Sequence, residues 1–196
     1  MKKLLYIPFF YYFYSRIHRG RGSIPFVLTT EWIPWIIIAV FFSKFSIIES
    51  ISYLFYSFLA FISIYEIGYI INDYYSTKFD KNSELKKRAP IKVKSGKTIK
   101  IWIVVRLIVF TLFCIFLPFG QNQEWYIFYL LICVFFSFHN LIRSKELKVI
   151  SYFWLAFLRF LAPIIFLVSL NFYSSLFFVS STIIVPYRLF SYLEGK

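Results

Sequence analysis

The chain alternates long apolar runs with short polar connections. Runs at 26–43, 51–71, 99–119, 124–140, 149–170 and 172–190 each approach the about 20 mostly apolar residues that a bilayer-crossing helix needs. Aromatic and β-branched residues are frequent in them. None alternates apolar with polar over about ten residues, as a membrane-barrel strand would. The pattern predicts an all-α, polytopic bundle of about six transmembrane helices. The fourth run is short, and the sixth carries Pro186 and Arg188 near its end.

Two segments lie outside the runs. Residues 1–25 begin Met1-Lys2-Lys3 and continue with the aromatic stretch from Leu4 to Tyr14, then Arg16, Arg19 and Arg21. With no small-x-small cleavage site, this reads as a retained cytoplasmic or interfacial segment rather than a removed signal peptide. The other is the polar, basic loop 72–100, long enough to expect a role of its own. Residues 26–190 then form one transmembrane domain.

The basic residues give the orientation. Of 22 lysines and arginines, nearly all fall before run one, between runs two and three, between four and five, or near the C-terminus. The opposite connections hold Lys44, while Arg106 and Arg159 lie within runs. The positive-inside rule places both termini in the cytoplasm. Composition agrees: 60% apolar, 24% aromatic, mean hydropathy +0.69 is more than a soluble fold hides. The net charge of +13 would suggest nucleic acid in a soluble protein. Here it is scattered between spans, so no nucleic-acid partner is expected. Cys114 and Cys133 read as small buried hydrophobes.

Candidate chemistry gathers where run two ends. Both aspartates lie there, in Asn72-Asp73-Tyr74-Tyr75-Ser76-Thr77-Lys78-Phe79-Asp80. Glu66, Asp73 and Asp80 follow at intervals of seven, which puts them on nearly one helix face. Acids so spaced, next to Lys86, Lys87, Arg88, Lys92 and Lys94, suit a Mg²⁺-bridged phosphate. They equally suit a solvated helix end above anionic lipid headgroups. Inside the membrane, Arg106 is expected to snorkel and Arg159 to pair structurally, with Glu66 as one partner. His18 and His139 read as single residues without a role as ligand or base.

The segment 72–96 resembles the first aspartate-rich signature of the UbiA superfamily of intramembrane prenyltransferases. Asn72-Asp73 and Asp80 match its pattern, with Ser76 where a middle aspartate is expected. Arg88-Ala89-Pro90 and Ser95-Gly96 stand for the R-P and S-G that follow. The resemblance implies a UbiA-like bundle with Mg²⁺ held by Asn72, Asp73 and Asp80, the two aspartates being catalytic. Lys87, Arg88, Lys92 and Arg143 would bind the diphosphate, and Phe138 would stand for an aromatic the family carries between spans four and five. The implied function is Mg²⁺-dependent transfer of a polyprenyl group from a diphosphate donor to an acceptor. The metal would stabilise the leaving diphosphate, and aromatic faces the allylic cation.

The family's second aspartate-rich motif has no counterpart up to Lys196, so a partner chain supplying it is a further expectation. A truncated, non-catalytic relative that binds isoprenoid phosphates is the main alternative, and phosphoribosyl transfer to a polyprenyl phosphate another. A CDP-alcohol phosphotransferase is excluded by the missing D-G and paired aspartates. A transporter of inverted repeats is disfavoured because Pro34, Pro163 and Pro186 do not fall at matching positions.

Overall fold

A computed structural model describes residues 2–18, 24–74, 96–142 and 144–194. Six helices follow the apolar runs: α1 (Ile24–Phe41), α2 (Ile47–Tyr74), α3 (Gly96–Ile115), α4 (Gln123–Leu141), α5 (Lys145–Leu161) and α6, residues 173–194. Among the described residues there is no strand, only one isolated bridge between Ser43 and Val168. The protein is an all-α helical bundle. Among the described residues, five stretches are long and apolar enough to cross a membrane: α1 to α4, and Leu170–Phe190, which includes most of α6. Their outward faces carry the apolar stripes that lipid requires, as with Val104, Ile108 and Leu112 on α3 and Leu130, Val134 and Phe138 on α4. This is an integral membrane protein.

The fifth run differs from its expected extent of 149–170. Helix α5 has 17 residues and begins at Lys145 in a polar turn, capped by the Ser144 hydroxyl. It ends at Leu161, because Pro163 has no N–H to return to the Arg159 carbonyl. Residues 162–168 then fold as turns inside the protein, with Ala162, Ile164, Leu167 and Val168 buried. Such irregular backbone is tolerated at this depth only where other chain satisfies it. The Lys44 N–H and the Ser43 hydroxyl donate to the Leu167 carbonyl, and the Trp35 indole to that of Phe160.

Helix α2 is the centre of the bundle. Every residue from 60 to 66 is buried, so this stretch is covered all round, and α1, α3 and α4 pack against it. Small residues permit the close approach. A methyl group at Gly68 would stand 2.6 Å from the Phe136 ring of α4.

Two helices contain a wide π turn, Leu28–Trp32 in α1 and Ser180–Ile184 in α6. Each lies one turn before a proline, Pro34 or Pro186. A proline removes a backbone donor and crowds the preceding turn, and local unwinding absorbs both.

The N-terminal segment, expected at the interface, folds into one end of the bundle. Leu5 and Tyr11 are fully buried, and Tyr11 packs with Ile70, Ile99 and Trp102 of α2 and α3.

Replacing Gly68 with valine overfills the α2–α4 contact. Equilibrium unfolding in mixed micelles is expected to show a loss of about 1–3 kcal/mol, partly restored by adding Phe136→Leu.

Candidate functional site

Among the described residues the interior holds three carboxylates, Glu31, Glu66 and Asp73, and each meets arginine. Glu66 on α2 accepts from Arg106 Nε of α3 at 2.8 Å, and neither side chain has any exposed surface. Arg106 also donates to the carbonyls of Trp102 and Leu5, both at 3.1 Å. The backbone N–H of Tyr12 donates to the other Glu66 oxygen at 2.6 Å. This pair is closed on all sides. Arg106 therefore does not snorkel: a carboxylate one helix away satisfies it where it stands.

Two turns along α2, Asp73 is held by the N-terminal segment. Arg16 grips it with both amino groups, at 2.8 and 3.0 Å, and the Tyr11 hydroxyl donates to Oδ2 at 3.0 Å. The Arg16 guanidinium also lies 4.2 Å from the centre of the Tyr69 ring, a cation–π distance. Burial alone would lower the Arg16 pKa. The Asp73 charge and hydrogen bonds outweigh it and hold the pKa above the usual guanidinium range. Burial, then Asp73, raises the Tyr11 pKa far above that of a free phenol, so its hydroxyl remains a donor.

The third group joins five parts of the chain. Arg159 of α5 presents its fork to Glu31 of α1, at 2.6 and 3.0 Å. Two of its other hydrogens go to the hydroxyls of Tyr69 and Tyr12, both at 2.7 Å. Arg188 of α6 also pairs with Glu31, through Nη2. Arg159 thus takes Glu31 as its counter-ion, not Glu66, which Arg106 already holds. Tyr12, whose pKa burial pushes up to about 12, stacks on Tyr69 with centroids 6.0 Å apart.

Of the residues singled out by the sequence, Asn72 and Asp73 lie at the end of α2, with Asp73 buried. Asp80, Lys87, Arg88, Lys92 and Arg143 lie outside the described residues, as does any arrangement of Asp80 with Asp73. Phe138 points away from the interior and lines a shallow apolar groove on α4 with Cys133, Val134, Ser137 and Leu141. His139 is not single: its Nδ1 lies 2.8 Å from the Ser151 hydroxyl of α5.

The surroundings of Asp73 bear on whether it can hold magnesium. A Mg²⁺ ligand offers an oxygen lone pair at about 2.1 Å and tolerates no cation in its place. Both Asp73 oxygens face the Arg16 fork, so Asp73 as placed does not fit a metal ligand. No group of three metal-binding side chains occurs among the described residues.

Sequence reasoning missed Glu31 and Arg16. Glu31 is an acid within an apolar run, the same signal that drew attention to Arg106 and Arg159. Arg16 carried no signal beyond its charge, since the fold alone brings it to Asp73.

Removing one member of a closed pair leaves a charge without a partner. Glu66→Gln is expected to cost about 3–5 kcal/mol, read as lost stability by tryptophan fluorescence in detergent. The double change Glu66→Leu with Arg106→Met should recover most of it. A double mutant no more stable than Glu66→Gln would show that the pair is not the origin of the loss. In comparisons with known proteins, no family model, no curated protein and no solved structure matches this chain.

Proposed function

We propose that the chain is a UbiA-like membrane protein that takes the phosphate end of a polyprenyl diphosphate or polyprenyl phosphate at the end of α2. It does so through the Arg16 guanidinium rather than through magnesium held by Asp73. The observation that carries this reading is the bidentate Arg16–Asp73 pair. An arginine fork that fits a carboxylate also fits a phosphate. Arg16 retains 17% side-chain exposure, whereas Arg106 has none. Of these two pairs, only the Arg16 pair can reach a ligand without the bundle opening.

Tyr11, Tyr69 and Tyr74 line this end of α2. The indole Nε1 of Trp102 is buried beside Tyr11 and Tyr74 with no hydrogen-bond partner among the described residues, and the Ser15 hydroxyl is likewise unpartnered. By the charge distribution, this end faces the cytoplasm. The basic residues 86–100 follow directly in sequence and favour an anionic headgroup. The apolar tail would remain in the lipid-facing grooves of the bundle.

Prenyl transfer is the second reading, favoured by the burial of Asp73 beside Asn72 at the end of the helix. It requires Asp73 to release Arg16. The two readings predict opposite results for one variant. If Arg16 is the receptor, Asp73→Asn frees the fork, and binding of farnesyl diphosphate in EDTA persists or tightens. Arg16→Gln then weakens it by about tenfold or more. If the aspartate holds magnesium, binding is absent in EDTA and in Asp73→Asn. Titration of the purified full chain in neutral detergent, with radiolabelled ligand, distinguishes them.

A further inference from the structure

Among the described residues the buried charges do not balance. Arg16 and Arg106 each have a carboxylate of their own, but Glu31 serves both Arg159 and Arg188. Arg159 uses four of its five N–H groups: its fork lies on Glu31 and two others on Tyr69 and Tyr12. Arg188 is less well served. Among the described residues it meets Glu31 through Nη2, at the oxygen that Arg159 Nε already uses. Its own Nε–H is buried and has no partner among the described residues. The Arg188 side chain is only 7% exposed.

A guanidinium so enclosed, in a bundle surrounded by lipid, is costly without a counter-ion. Among the described residues, one shared carboxylate leaves about one positive charge uncompensated in this group. The placement is built rather than incidental. Glu31 lies on the π turn that precedes Pro34, and Arg188 follows Pro186, beyond the π turn of α6. Both irregular helices bring their charged residue to the same point. The rings of Phe26 and Tyr187 stack beside it, and Arg188 lies 5.8 Å from the Phe26 centroid.

We infer that Arg188 is the receptor of a second oxyanion site, between α1 and α6, which binds a phosphate group through its idle Nε–H and the surplus charge of the Glu31–Arg159–Arg188 cluster. The site is separate from Arg16 and stands whether or not the reading at Arg16 holds. Guanidinium N–H groups suit phosphate, with charge-assisted hydrogen bonds that a halide does not match in geometry. The phosphate is either free in solution or borne on a lipid.

The test uses the full chain in neutral detergent at constant ionic strength, followed by tryptophan-monitored melting. Inorganic phosphate is titrated in one arm and phosphatidic acid in mixed micelles in the other. Wild type is expected to be stabilised in at least one arm, and the responding arm identifies the source. Arg188→Gln leaves Glu31 and Arg159 as a balanced pair, so it is expected to fold while losing affinity about tenfold or more. Arg188→Lys keeps the charge without the Nε–H and should bind several-fold more weakly than wild type, so it decides the matter if Arg188→Gln does not fold. Arg16→Gln should keep the part of the response that Arg188→Gln loses; its loss of farnesyl diphosphate binding concerns the first site only. A response equal to wild type in both Arg188 variants, or no response of wild type to either probe, overturns the assignment.

Discussion

An ionised side chain inside a lipid-surrounded bundle must meet its opposite, and this requirement organises the protein. The Glu66–Arg106 pair shows it most simply. Both side chains are fully buried, each would be costly alone, and further hydrogen bonds tie them to Leu5, Trp102 and Tyr12. Helix α2 must therefore lie against α3 in one register, with the N-terminal segment folded across both. In a bundle whose helices otherwise exchange apolar contacts for apolar lipid, such pairs supply much of the specificity that hydrophobicity cannot.

Tyr12 and Tyr69 tie the acid–arginine groups into one system. Tyr12 uses its backbone for Glu66 and its hydroxyl for Arg159. Tyr69 offers its ring to Arg16 and its oxygen to Arg159. The route from the end of α2 to the Glu31 cluster is thus a continuous sequence of hydrogen bonds and ring contacts. Rearrangement of Arg16 about a ligand would be felt by the tyrosines that orient Arg159.

The helices were readable from the sequence because their signal is local. Runs of about twenty apolar residues need no knowledge of their neighbours, and the runs of α1 to α4 mark real helices. The break after Leu161 was less visible: Pro163 stands in a run apolar enough to hide the turn, and the residues beyond it are buried instead of spanning. The pairings were not readable. Arg16 and Asp73 are 57 residues apart, Glu31 and Arg159 128, and nothing in either local pattern names the other. Asp73 itself was found from its motif, but its neighbour proved to be a guanidinium. Charge counting along the chain could not show this, because Arg16 sits in a segment that reads as lying on the membrane surface.

The position of Tyr12 bears on how the protein is assembled. The N-terminal segment is made before the helices, yet its partners come much later, Arg159 147 residues further on. When α2 enters the membrane, Glu66 and Asp73 can already meet Tyr12 and Arg16. Arg106 must wait for α3, and Arg159 for all but the last helix. Insertion of α3 and α5 therefore delivers cations to acceptors already held in place, and the earliest part of the chain acts as the template on which the later helices are registered.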